Sequence, residues 1–154
     1  MPVLYILAGP NGAGKTSFYD VSLEEGLIDA TLPFINVDLI TRNEFGSYTV
    51  ENYAKADEVA RLRMNDLIKN SNDLMVESNL ASQNDYDWIN AIIKKGYEVC
   101  LYFFYTRDVQ VNIGRVEKRV AEGGHDVATA IIEQRYKMGL TYLKGNFNSL
   151  KALT

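Results

Sequence analysis

The chain has 154 residues, 47% of them hydrophobic, with a net charge of −4, one cysteine and one histidine. That is enough for one globular domain with one core. It excludes an internal disulfide framework and a histidine-rich metal site, and the lack of a basic block argues against a binder of nucleic-acid backbones.

Val3 to Leu7 is an apolar run and reads as a buried parallel strand. It leads into Gly9-Pro10-Asn11-Gly12-Ala13-Gly14-Lys15-Thr16, a complete G-x-x-x-x-G-K-[ST] signature, with Ser17 next. Glycines in such a loop let the backbone curl into a nest of N–H donors around an anion. Lys15 then reaches the β- and γ-phosphates of a nucleoside triphosphate, and the Thr16 hydroxyl ligates Mg²⁺. A helix-compatible run from Lys15 to about Leu27 follows, and its positive N-terminal end faces the phosphates. A chance glycine-rich turn would lack this strand and this helix.

Further strands are expected at Phe34 to Val37, Asp73 to Glu77 and Tyr97 to Tyr105, with Pro33 marking the start of the second. Cys100 falls in the last of these and reads as a core residue. Ala60, Met64, Leu67 and Ile68 share one helix face that ends near Asn70-Ser71. Ser82-Gln83-Asn84-Asp85 resembles a capping box, opening a helix that Gly96 ends. Val109, Ile113, Val116 and Val120 make a stripe stopped by Gly123-Gly124, and Ile132, Tyr136, Leu140 and Leu143 make a last one ending near Gly145. Alternating strands and helices predict βαβ units, a parallel sheet and a three-layer α/β/α domain. No apolar stretch approaches the roughly 18 residues of a membrane span, and the first run is too short for a signal sequence, so a cytoplasmic protein is expected.

In such sheets ligands sit beyond the carboxyl ends of the strands. Asp38 and Glu77 stand there, beside the phosphate loop. Either could accept a proton, hold a substrate hydroxyl or support Mg²⁺ through water. The structural alternative is that Asp38 caps a turn and Glu77 pairs with Lys15 or a guanidinium. Arg115 and Arg119 are i, i+4 neighbours, with Lys118 between them; they form either a solvated face or a lid whose arginines stabilise charge on a γ-phosphate.

Taken together, the phosphate loop, Asn36-Val37-Asp38, Glu77-Ser78-Asn79-Leu80, Arg115 through Arg119, Gly123-Gly124-His125 and Arg135-Tyr136 resemble the zeta-toxin family of small P-loop kinases, in its short stand-alone branch. The resemblance implies a P-loop NTPase fold of the nucleotide-kinase type over residues 1–154, with a helical lid around 107–139. It implies transfer of phosphate from ATP or GTP, with Mg²⁺, to a sugar hydroxyl of UDP-N-acetylglucosamine. Lys15 and Thr16 bind triphosphate and metal; Asp38 matches the family base and Glu77 the residue that holds the acceptor. Arg119 matches the arginine that contacts the γ-phosphate, Arg135 more loosely the second lid arginine, and His125 marks the motif without an assigned chemistry. Family members continue into another strand, which is not found before Thr154. The partners expected are a nucleoside triphosphate and a small acceptor, with an antitoxin or self-association left open. The rival readings are a regulatory P-loop NTPase and a catalytically weakened nucleotide-binding module, each acting through a protein partner.

Overall fold

The structure, a computed structural model, describes residues 1–152. Four strands, β1 (Val3–Ala8), β2 (Phe34–Ile35), β3 (Leu74–Ser78) and β4 (Glu98–Phe103), form one parallel sheet in the order β2-β3-β1-β4. Six α-helices accompany them: α1 (Lys15–Glu24), α2 (Val37–Ile40), α3 (Val50–Lys69), α4 (Gln83–Lys94), α5 (Val109–Ala121) and α6 (Thr129–Ala152).

One sheet face carries Leu4, Ile6, Ala8, Ile35, Leu74 and Val76, all buried, against Ala56 and Ala60 of α3 and Tyr86, Ile89 and Ile92 of α4. On the other face lies α1, with Tyr19 stacked on Phe34 at 4.0 Å and Phe18 tilted against Tyr102 and Phe104. Helices therefore cover both faces of a P-loop α/β sheet, as expected from the alternation of elements. A smaller core of Ile113, Val116 and Ile132 joins α5 to α6.

Several boundaries differ from the sequence reading. The second strand stops at Ile35, because the Asn36 side chain accepts the Leu39 amide at 3.2 Å and starts α2. Val37 and Asp38 are thus helical. A π-helical turn over Thr41–Phe45 follows, closed by Gly46; Thr41, fully buried, bonds the Val37 carbonyl at 2.7 Å, a back-bond of the kind that bends helices. The first helix ends at Glu24 rather than near Leu27. The last continues past Gly145 to Ala152, where Asn146 exchanges hydrogen bonds with Gln83 of α4. The capping box of α4 is present, Ser82 and Asp85 bonding reciprocally.

Within the run at Tyr97–Tyr105, Val99 to Tyr105 is apolar at alternate and adjacent positions alike, the pattern of a strand buried on both faces. Its strand is shorter, β4: Val99, Leu101 and Phe103 pack against the core, whereas on the α1 face Tyr102 meets Phe18 and stays 44% exposed. Among the described residues β4 is an edge of the sheet. Its core-packed face borders a cavity of about 440 Å³ shared with Leu143 and Phe147 of α6.

Candidate active site

The loop between β1 and α1 is held from both sides. Gly9 donates to the Ser78 carbonyl at 3.1 Å, and Asn112 of α5 donates to the Asn11 carbonyl at 2.8 Å. Gly12 has φ +75°, and a Cβ there would stand 2.4 Å from the Asn112 carbonyl oxygen, so only glycine fits under α5. Gly14, left-handed, caps α1 and aims its first turn at the loop's concavity. A glycine-rich loop at a helix N-terminus is the kind of arrangement that suits an anion.

The cleft so formed holds about 240 Å³ and is lined by the loop from Asn11 to Ser17, Asp38, Glu77, Arg115 and Arg119. Gly9 and Pro10 are buried behind it. Arg135 does not line it; its guanidinium donates to the Asn11 side chain at 2.9 Å. Arg115, read in the sequence as half of an i, i+4 basic pair on a solvated face or a lid, donates to the Gly12 carbonyl at 3.1 Å. Lys118 is exposed.

Lys15 is 6% exposed, with its ammonium on the Gly9 carbonyl at 2.5 Å, Glu77 at 3.5 Å and Asn79 at 3.5 Å. Burial pulls the lysine below its usual range, and the charge of Glu77 opposes that pull. Burial likewise pushes the Glu77 carboxyl up, against Lys15. Both shifts reflect the cost of holding charge away from water. Asn36, 4% exposed, donates to the other Glu77 oxygen. The sequence reading gave Asn36 no role, though its place as cap beside Asp38 was the available signal.

Asp38 projects from the first turn of α2, with its Oδ1 buried and 3.3 Å from His125 Nδ1. Arg119 reaches over the same cleft from the end of α5. Its Nη2 donates to the His125 carbonyl at 3.4 Å, while its Nε is buried without a partner. Gly124 makes this path possible: a Cβ there would lie 2.4 Å from Arg119 Cγ.

Among the described residues no group of three or more His, Cys, Asp or Glu could hold a metal by itself. A Mg²⁺ that keeps waters and phosphate oxygens needs less. Thr16 in the cleft, with Asp38 and Glu77 on its wall, is a donor set of hard oxygens that fits such an ion. A second cavity of about 340 Å³ shares Glu77 with the cleft; its floor is Ile6, Val76 and Leu80, and Arg61 and Trp88 border it. The largest cavity described, about 480 Å³, lies on the α1 face near Pro33 and Asp73, away from the strand ends where this chemistry collects.

A phosphate-binding loop between a first parallel strand and its helix, with carboxylates at two neighbouring strand ends, defines a P-loop kinase-like α/β protein. The match to Zeta toxin extends over residues 1–151, and the chain belongs to that family. Among solved structures it is similar to a chain of the Pnkp1/Rnl/Hen1 RNA repair complex, at 18% identity and TM-score 0.72, over 94% of this chain and 46% of that one. It is also similar to AvrRxo1-ORF1:-ORF2 with ATP, at 15% and 0.72 over 99% and 50%. The PezAT chromosomal toxin–antitoxin system of Streptococcus pneumoniae matches at 15% and 0.51 over 97% and 87%. The chain spans about half the length of the first two. No curated protein matches it significantly. No helix of the described residues is long and apolar enough to cross a membrane.

Proposed function

We propose that this protein is an ATP- or GTP-dependent kinase acting on a hydroxyl of a small acceptor, a nucleotide sugar such as UDP-N-acetylglucosamine. One observation carries the reading. The phosphate nest, Lys15, two carboxylates and two arginines line a single cleft, and Glu77 is shared with a cavity large enough to admit part of an acceptor. Trp88 offers that cavity an aromatic surface for a base or sugar ring.

The triphosphate lies in the loop from Gly9 to Ser17, with Lys15 against its β- and γ-oxygens. Thr16, with the phosphates, would hold Mg²⁺, which when bound would supply charge neutralisation to the transferring group. Asp38 takes the proton of the acceptor hydroxyl, and Glu77, steadied by Asn36, orients that hydroxyl. Arg119 supplies charge to the γ-phosphoryl oxygens, its buried unpartnered Nε being a donor awaiting an anion. Arg115 and Arg135 hold the loop through Gly12 and Asn11. The segment of about residues 107–139, with its own small core, serves as lid.

The test is nucleoside diphosphate release from ATP and from GTP, with and without a panel of nucleotide sugars. Release that depends on an acceptor supports the kinase. Slow release indifferent to every acceptor marks a regulatory NTPase, and binding without turnover marks a module that has lost catalysis; either result overturns the proposal.

A further inference from the structure

His125 enters the site from the linker between α5 and α6, and nothing in the proposed chemistry employs it. Its imidazole stacks on Tyr48 and on Tyr53, with ring centroids 5.1 Å from each and interplanar angles of 22° and 27°. Tyr48 lies just before α3 and Tyr53 in its first turn. The Tyr53 phenol is itself pushed up to about 12 by burial and by the Asp38 charge. Two stacked rings fix the plane of the imidazole and so fix where its Nδ1 points.

It points at Asp38, with Nδ1 3.3 Å from Oδ1. That oxygen is buried and has no aligned hydrogen bond, and among the described residues no other cationic group comes within ion-pair distance of it. A buried carboxylate oxygen left unpartnered is unfavourable, since it has lost its water without gaining a donor. The imidazole is placed to relieve this, and contacts of this kind at catalytic groups tighten when substrate binds. With Oδ1 turned toward the imidazole, Oδ2 is the oxygen left for the acceptor.

We infer that His125 is the positioning residue for Asp38: its Nδ1–H holds Oδ1, and the tyrosine pair fixes the imidazole, so that Oδ2 faces the acceptor hydroxyl. This rests on the kinase reading above. In the step it serves, the hydroxyl proton goes to Asp38 Oδ2 and the acceptor oxygen bonds to the γ-phosphorus. The bond from that phosphorus to the β-phosphate oxygen breaks, its electron pair leaving with the nucleoside diphosphate. His125 neither gains nor loses a proton. The same contact draws the lid linker, and with it the Arg119 side chain bonded to the His125 carbonyl, onto the α2–α3 region.

Three variants separate orientation from packing. His125→Asn keeps a donor near the Nδ1 position and loses the ring; His125→Phe keeps a stacking ring and loses the donor; His125→Ala loses both. With ATP and UDP-N-acetylglucosamine as the probe pair, Ala and Phe should lower kcat by about 10²-fold, the scale of a misplaced catalytic group. KM for ATP should stay within about threefold, since the lost interaction acts in the transition state. Asn should recover much of kcat. Parent-like kcat in His125→Ala overturns the inference, and so does recovery by Phe without recovery by Asn, which reduces His125 to packing. A readout independent of turnover comes from the uniqueness of this histidine: its ring Nδ1–H proton should give a protected NMR resonance that Asp38→Ala removes. If the parent transfers phosphate to no acceptor, the kinase reading fails and this resonance alone decides the pairing. Its absence from the parent, or persistence in Asp38→Ala, sinks the pairing whatever the activity.

Discussion

Asn36 joins the two candidate carboxylates: its side-chain amide donates to Glu77, and its side-chain oxygen caps the helix whose first turn carries Asp38. One buried residue thus sets both the rotamer of Glu77 and the entry of α2. Asn36→Ala removes the cap, worth about 1 kcal/mol, and leaves a buried carboxylate oxygen short of a donor, about 1–3 kcal/mol. The expected outcome is a midpoint shift in urea unfolding of that combined size, with transfer reduced beyond what the lost folded fraction explains. Asn36→Asp keeps the cap but sets a second buried carboxyl against Glu77, so it should lose at least as much stability and as much activity. Equal activity in Asn36→Asp and the parent would remove Asn36 from the site.

Lys15→Ala should abolish transfer, by on the order of 10³-fold or more, because the lysine acts on the charge that phosphoryl transfer spreads over the β- and γ-oxygens. Steady-state rates with ATP measure this directly. Turnover at the parent rate would rule out the kinase.

Asp38→Asn should keep ATP affinity within a few-fold and lose about 10²- to 10⁴-fold in transfer, the usual consequence of removing a general base. Titration calorimetry beside single-turnover kinetics separates the two quantities. A parallel collapse of affinity would reassign Asp38 to the metal or the nucleotide.

Gly124→Ala drives a methyl group to within 2.4 Å of Arg119 Cγ and 2.9 Å of the Arg119 carbonyl oxygen. The side chain must leave its path over the cleft. Transfer should fall by about 10-fold or more, in proportion to the γ-phosphate charge lost, and the melting temperature should drop as well, because the Arg119 backbone carbonyl must also give way. Gly26→Ala is the control: it stands at φ +70° with open space around it. It should cost about 1 kcal/mol of backbone strain and no activity beyond that.

Hydrogen exchange should alternate along β4. The Glu98 and Phe104 amides donate inward to Pro2 and Ala8 at 2.9 and 2.8 Å, so the period of two turns the amides of Cys100 and Tyr102 inward as well. Those of Val99, Leu101 and Phe103 point away from β1 at an open edge and should exchange faster. Uniform protection would reveal a further strand or a partner chain on that edge.

Much of the frame was legible in residue order. The β1–loop–α1 unit followed from an apolar run, a glycine pattern and a helix start, all local features whose physics needs no distant contact. The capping box of α4 and the stripe of α5 were legible for the same reason, and Asp38 and Glu77 could be singled out because strand ends are where an α/β sheet collects chemistry. What the tertiary structure decided were the facts that depend on distant residues meeting. Phe34 to Val37 has strand character throughout, yet Asn36 turns it into a helix by capping it while it holds Glu77, 41 positions away. The β4 run is apolar enough for burial on two faces, yet whether a face is covered depends on what packs there, which no period encodes. Gly145 reads as a stop, but contacts of α6 with α4 outweigh the roughly 1 kcal/mol that glycine costs a helix. His125 was legible as part of the Gly123-Gly124-His125 tract but with no chemistry attached. Its place beside Asp38 exists because the lid folds back over α2 and α3, a meeting of segments some 90 residues apart that only the folded chain creates.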